Sequence, residues 1–204
     1  MLVRITVFGI ALACCCTEPM NAGSETTSGV EIAVEETTIR VKTAAGATVM
    51  IFNTHYVAGS SLMVSDTVTA DESGGVAFVD LPEGSYNLFV YSDSVGGAAL
   101  LGIPVGIQED ALFADTQSFA PLRTIIGTVT QQGSSGPPSL VFISGSPYYT
   151  QTNTEGKFSF AEVPVGTYSI TVHQSTEVDS GDESFVVDLS STEEAVVEVT
   201  LELQ

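Results

Sequence analysis

A chain of 204 residues with 44% hydrophobic content carries enough apolar material for one or two packed cores. Its 25 acidic residues against five basic ones give a formal charge of −20, which excludes nucleic acid and anionic lipid headgroups as electrostatic partners, because phosphates are neutralised by Lys and Arg. All three cysteines stand in one run, Cys14-Cys15-Cys16, so the rest of the chain has no disulfide framework.

Residues 1–13 place one positive charge, Arg4, ahead of an apolar run ending in Ala11-Leu12-Ala13. The run is shorter than the roughly 20 apolar residues that span a bilayer, and it reads as a secretory signal peptide. Ala11-Leu12-Ala13-Cys14 resembles the lipobox of bacterial lipoproteins, in which small residues precede a cysteine that is acylated and becomes the new N-terminus. That resemblance implies lipidation at Cys14, while the register with Leu three residues before the cysteine selects Cys15 instead. Either choice implies attachment to a membrane through the lipid, at the cell envelope, on the outer membrane or cell surface. Residues 14–29 hold almost nothing apolar after the cysteines and cannot offset the entropy of ordering, so they read as a flexible tether.

Residues 30–120 carry strand patterns. Val30, Ile32 and Val34 alternate with Glu31 and Glu35, and Ile39 and Val41 with Arg40 and Lys42, a period of two that buries one face. The unbroken run Val49-Met50-Ile51-Phe52 suits a strand buried at the centre of a sandwich. Residues 108–115 are at most a turn of helix.

The segment Gly74–Val90 aligns without a gap on Gly156–Val172, with Gly74/Gly156, Phe78/Phe160, Pro82/Pro164, Gly84/Gly166, Tyr86/Tyr168 and Val90/Val172 identical. A spacing of 82 residues describes tandem domains, since solenoid repeats are shorter. Each copy reads as strand, corner, strand. Pro164 sets the turn, Gly166 is expected to supply positive φ, and Tyr168, Ile170 and Val172 alternate with Ser169, Thr171 and His173. The pattern apolar-Pro-x-Gly-x-Tyr resembles the tyrosine corner of immunoglobulin-like sandwiches, which implies that Tyr86 and Tyr168 bond back to backbone near the turn, with Pro82, Gly84, Pro164 and Gly166 shaping it.

The second unit, residues 121–204, opens at Thr124-Ile125-Ile126-Gly127-Thr128-Val129. It continues through the buried run Leu140-Val141-Phe142-Ile143 and ends in two stripes, Phe185, Val187, Leu189 and Val197, Val199, Leu201, Leu203. The Gly-Ser-Ser-Gly-Pro-Pro stretch at 133–138 is a hairpin loop. From Gly127-Thr128-Val129 through Gly156-Lys157-Phe158 to Pro164-Val165-Gly166-Thr167-Tyr168 this unit resembles the carboxypeptidase regulatory-like family of transthyretin-like sandwiches. The first unit departs from that pattern: Val76 stands where Phe158 does, and its opening strand lacks the Gly-x-Val start. The resemblance implies a seven-stranded Greek-key sandwich serving as an accessory module, with no catalytic residue and no cofactor. The fold class expected is therefore all-β, two tandem immunoglobulin/transthyretin-like Greek-key β-sandwiches.

Chemistry-bearing patterns are sparse. His55 falls in a loop and His173 on the polar face of a strand, and neither has the neighbours a zinc site requires. No Gly-x-Ser-x-Gly elbow occurs, and Thr154-Glu155-Gly156-Lys157 lacks the upstream glycine of a phosphate loop. Asp71-Glu72 and Asp179-Ser180-Gly181-Asp182-Glu183 are acidic loops without an EF-hand pattern, and no metal is assigned to them. Tyr148-Tyr149, in a loop, and Phe89 with Tyr91, opposite the core face of their strand, are candidates either for binding a sugar ring or protein patch or for packing between domains. The functional expectation is a non-enzymatic envelope lipoprotein, a structural or binding module with a protein or glycan partner. The alternative is a small envelope hydrolase or carbohydrate-binding accessory protein that uses the acidic loops.

Overall fold

The computed structural model describes residues 29–57, 65–106, 113–131, 134–135, 138–175, 180–190 and 194–203. The signal peptide, Cys14, Cys15 and the tether up to residue 28 lie outside the described residues, as does Asp179. Within them the chain is all-β. The first eight strands are β1 (Gly29–Glu35), β2 (Thr38–Lys42), β3 (Thr48–Asn53), β4 (Ser65–Thr69), β5 (Gly75–Phe78), β6 (Gly84–Ser92), β7 (Gly96–Val105) and β8 (Phe113–Ser118). The next eight are β9 (Arg123–Gln131), β10 (Ser134–Ser135), β11 (Leu140–Ile143), β12 (Tyr149–Gln151), β13 (Lys157–Val163), β14 (Thr167–Ser175), β15 (Ser180–Asp188) and β16 (Val196–Leu203).

Four sheets stack as two tandem sandwiches. In the first, sheet β5-β2-β1-β8 faces sheet β4-β3-β6-β7. Alternation puts Val30, Ile32 and Val34 of β1 and Ile39 and Val41 of β2 into one core with Val49, Ile51, Leu88, Val90 and Leu100 from the opposing sheet. In the second, β9 is flanked by β10, β13 and β16, and sheet β12-β11-β14-β15 covers it. Ile125, Val129, Val141, Phe158, Phe160, Ile170, Val172, Leu189 and Leu201 fill that core.

The gapless repeat becomes a structural one, and it reaches further back than identity alone indicates. Asp71 and Asn153, also 82 residues apart, build the same hairpin turn. Asp71 Oδ1 accepts from the Ser73 and Gly75 N–H groups, each at 2.8 Å, and Asn153 Oδ1 accepts from Glu155 and Lys157, each at 2.9 Å. Asp and Asn offer the same acceptor oxygen, so a turn bound from one side tolerates the exchange. In both turns the following glycine has positive φ, 79° at Gly74 and 76° at Gly156.

Three expectations are corrected. Each sandwich has eight strands among the described residues rather than seven: β1 has no counterpart in the second unit, and β10 has none in the first. Gly84 and Gly166 are not the left-handed residues of the corners. Asp80 (φ 53°) and Glu162 (φ 57°), each two residues before the proline, take that conformation. The glycine at 166 instead makes room for the corner tyrosine, because a Cβ there would lie 3.2 Å from Tyr168 Oη and 3.3 Å from Cζ. Finally, of residues 108–115, residues 108–112 lie outside the described residues and 113–115 form strand rather than helix, because β8 completes a ladder on β1 from Phe113↔Val34 to Ser118↔Gly29.

The two differences between the first unit and the second reduce to one cross-strand pair. Phe158 lies opposite Gly127, and a Cβ at Gly127 would meet the Phe158 ring at 2.0 Å. The first sandwich has Val41 opposite Val76 at the corresponding place. Glycine plus phenylalanine and valine plus valine fill the same slot, a volume-conserving exchange between neighbours.

Candidate functional site

Both corner tyrosines are buried and bonded to their own turns. Tyr86 Oη donates to the Pro82 carbonyl at 2.8 Å, and Tyr168 Oη donates to the Pro164 carbonyl at 2.9 Å. The two hydroxyls thereby satisfy themselves inside the fold and offer nothing to a ligand. Burial pushes both phenols above their ordinary pKa.

The aromatics singled out on the outer face of β6 meet the second sandwich. Phe89 is fully buried and belongs to the same apolar cluster as Phe160 and Tyr168. Its ring lies edge-on to Phe52 (6.0 Å between centroids) and Tyr148 (5.9 Å), and stacks at 6.5 Å on Tyr168. These separations fall in the attractive range for aromatic pairs. The continuous run in β3 now has a cause: Val49 and Ile51 face the first core, whereas Met50 and Phe52 face the seam between sandwiches.

Polar groups fix the seam's register. Tyr91 and Tyr148 share a hydroxyl hydrogen bond of 2.6 Å, and the Tyr148 hydroxyl also reaches the carbonyl of left-handed Glu162 at 2.8 Å. Desolvation, opposed by the bond to Tyr148, pushes the Tyr91 phenol up to about 12. Tyr148 is raised further, first by desolvation and then by the neighbouring Tyr91. Of the pair Tyr148-Tyr149, only Tyr149 remains exposed, and it opens β12 rather than lying in a loop.

Asn87, Tyr56 and Gly145 complete the junction and were not visible as a group in the sequence. The Asn87 Nδ2 donates to the Gly145 carbonyl at 3.0 Å, and the Gly145 N–H donates to the Tyr56 carbonyl at 2.7 Å. On its other side Asn87 Oδ1 accepts from Gly102 N–H at 2.9 Å, across the irregularity in the β6–β7 ladder. A side-chain amide thus replaces a missing ladder partner while pinning the neighbouring sandwich. The one sequence signal was a polar residue, Asn87, placed beside the apolar run Leu88-Phe89-Val90. Gly145 is required there: its φ is 66°, and a Cβ would fall 2.5 Å from Asn87 Nδ2 and 2.8 Å from Thr54 Cα.

The remaining candidates stay apart. His55 is exposed, with Nδ1 3.4 Å from Thr54 Oγ1. His173 Nδ1 sits 2.6 Å from Asp182 Oδ1 across the β14–β15 ladder on the outer face of the second sandwich, so residues 180–183 of the expected acidic loop lie in strand β15 instead. The Asp71 carboxyl is held below its usual value chiefly by the Gly75 N–H, then by Ser73, so its oxygen is spent on the turn. Among the described residues no group of three or more His, Cys, Asp or Glu is gathered so that it could hold a metal ion.

No family model matches the chain, and no curated protein matches it. Among solved structures it is similar to GBS52, the minor pilin of the Gram-positive pathogen Streptococcus agalactiae, with 12% identity over 79% of this chain and 84% of that one and a TM-score of 0.32. It is also similar to BcpA, the major pilin subunit of Bacillus cereus, with 13% identity over 87% of this chain, 59% of that one and a TM-score of 0.32. The streptococcal ancillary pilin shows 12% identity over 88% of this chain and 64% of that one, with a TM-score of 0.31. The chain therefore spans less than two thirds of the length of the latter two.

Proposed function

We propose that this chain is a non-enzymatic envelope module: two sandwiches docked into one stiff body, tethered to the membrane through a lipid on Cys14 or Cys15, and presenting their outer surfaces to a protein or glycan. The observation that carries the reading is the seam. A fully buried Phe89 at the meeting of two sandwiches, with the Tyr91–Tyr148 and Asn87–Gly145 bonds around it, fixes their relative orientation. A spacer requires that stiffness. The titratable groups support it, since Asp71 is occupied by its turn, His173 by Asp182, and Tyr91 by Tyr148.

The anchor is tested by metabolic labelling with a palmitate analogue in the wild type and in the Cys14→Ser and Cys15→Ser variants. Labelling lost in one of the two variants is expected and identifies the lipidated residue, whereas an unlabelled wild-type protein refutes the anchor.

A further inference from the structure

The two sandwiches hold their own ends in opposite ways. In the first, the chain enters at Gly29 and its last strand ends at Ser118, those residues being direct partners in the antiparallel β1–β8 ladder, and one further two-bond bridge ties Ala120 to Gly97 of β7 before the chain passes on. In the second, the chain enters at Arg123, at the start of β9, and leaves at Leu203, at the end of β16. Those two strands are parallel neighbours over eight pairs, from Thr124↔Val196 to Gln131↔Leu203. The difference follows from β1. It occupies the place beside β2 that β16 occupies beside β9, and it displaces β8 to the sheet edge while leaving β8 parallel to β2.

Tension along the chain meets these ladders differently. Once the two bonds between Ala120 and Gly97 part, pulling Gly29 away from Ser118 loads the ladder at one end, across the strands, so the interstrand bonds of the first sandwich give way pair by pair. Pulling Arg123 away from Leu203 loads β9 and β16 along their axes in opposite directions, so the whole ladder must fail together. Loss of β1 also removes Val30, Ile32 and Val34 from the first core, and the rest of that sandwich follows. Resistance to force is a matter of the unfolding barrier rather than of equilibrium stability.

We infer that the protein is a mechanically graded tether: under end-to-end tension the first sandwich unzips at low force as an extensible element, while the second, clamped by the parallel β9–β16 ladder, stays folded. This deepens the anchored-spacer reading, because an N-terminal anchor applies load at Gly29, but its test does not depend on lipidation.

The experiment is single-molecule pulling on the chain with Cys14, Cys15 and Cys16 replaced by Ser and handles placed before Gly29 and after Leu203. A disulfide lock, A33C/A114C, bridges the directly opposed pair Ala33↔Ala114 of β1 and β8. The unlocked protein should lengthen in two steps, the first by about 300 Å, the extended length of the first sandwich at roughly 3.3–3.6 Å per residue, and the second at several-fold higher force. In the oxidised lock the first step should shrink to about 30 Å, because only the residues outside the bridge can extend, and the high-force step should persist. The reduced lock should restore the long step. A single rupture in the unlocked protein overturns the inference. So does a long low-force step that survives oxidation, which would mean that the second sandwich yields first. Should A33C/A114C fail to fold, E31C/T116C spans the same ladder, and its oxidised form should shorten the first step to about 15 Å, because fewer residues lie outside the bridge.

Discussion

Replacing Gly127 by Val sets a branched side chain where the Phe158 ring lies. A Cβ at Gly127 alone would sit 2.0 Å from one ring carbon and 2.1 Å from another, far inside contact distance. Phe158 cannot swing into water without giving up its burial, since it is 5% exposed and its ring lies 5.5 Å from that of Phe160. Overpacking of this kind costs about 1–3 kcal/mol, and the better strand propensity of Val returns at most about 1. Phe158→Val by itself leaves a hole over Gly127 and costs about 2–4 kcal/mol. Together the two changes recreate the Val41–Val76 pair that the first sandwich already uses. G127V/F158V should therefore be less destabilised than the sum of the single variants by about 1–3 kcal/mol, the coupling of residues in direct contact. Urea unfolding of the four proteins measures this through the midpoint at constant slope. Additivity within about 0.5 kcal/mol would show that the slot is not shared and would refute the argument.

Alkaline stability tests the seam. Desolvation pushes the Tyr91 phenol of the folded chain up to about 12 against an ordinary value of 10.0. Its contribution is then fully present below about pH 10 and is lost between pH 10 and 12, as the unfolded chain ionises first. The wild type should lose stability steeply across that window, and Tyr91→Phe should flatten the loss in urea midpoints measured from pH 8 to 12. Gly145→Ala should lower stability by about 1–3 kcal/mol through strain at φ 66° and its clash with Asn87, and should increase the angular spread between sandwiches in small-angle scattering. An unchanged scattering profile would mean that Gly145 does not hold the junction.

Much of the architecture is legible in the sequence because it is written in neighbouring residues. The period of two in Val30-Ile32-Val34 and in Tyr168-Ile170-Val172 places one face inward whatever the rest of the chain does, and the repeated apolar-Pro-x-Gly-x-Tyr places the same corner twice. What stayed hidden depends on which segments meet. The left-handed residue of each corner is Asp80 or Glu162, not a glycine, and at the second corner it falls within the register shift of the β13–β9 ladder between Phe160 and Val163, which no local propensity reports. The apolar outer faces of β3 and β6 could equally have served a ligand, and only the arrival of Tyr148, 57 residues after Tyr91, decides that they serve the second sandwich. Likewise no local pattern states whether a terminal strand pairs parallel or antiparallel, since alternation is the same either way. Two β-sandwiches with tyrosine corners are readable along the chain, because side-chain period and turn chemistry act between adjacent residues. The tertiary structure alone decided the shared seam and the opposite loading of Gly29–Ser118 and Arg123–Leu203, because both arise from contacts between residues far apart in the chain.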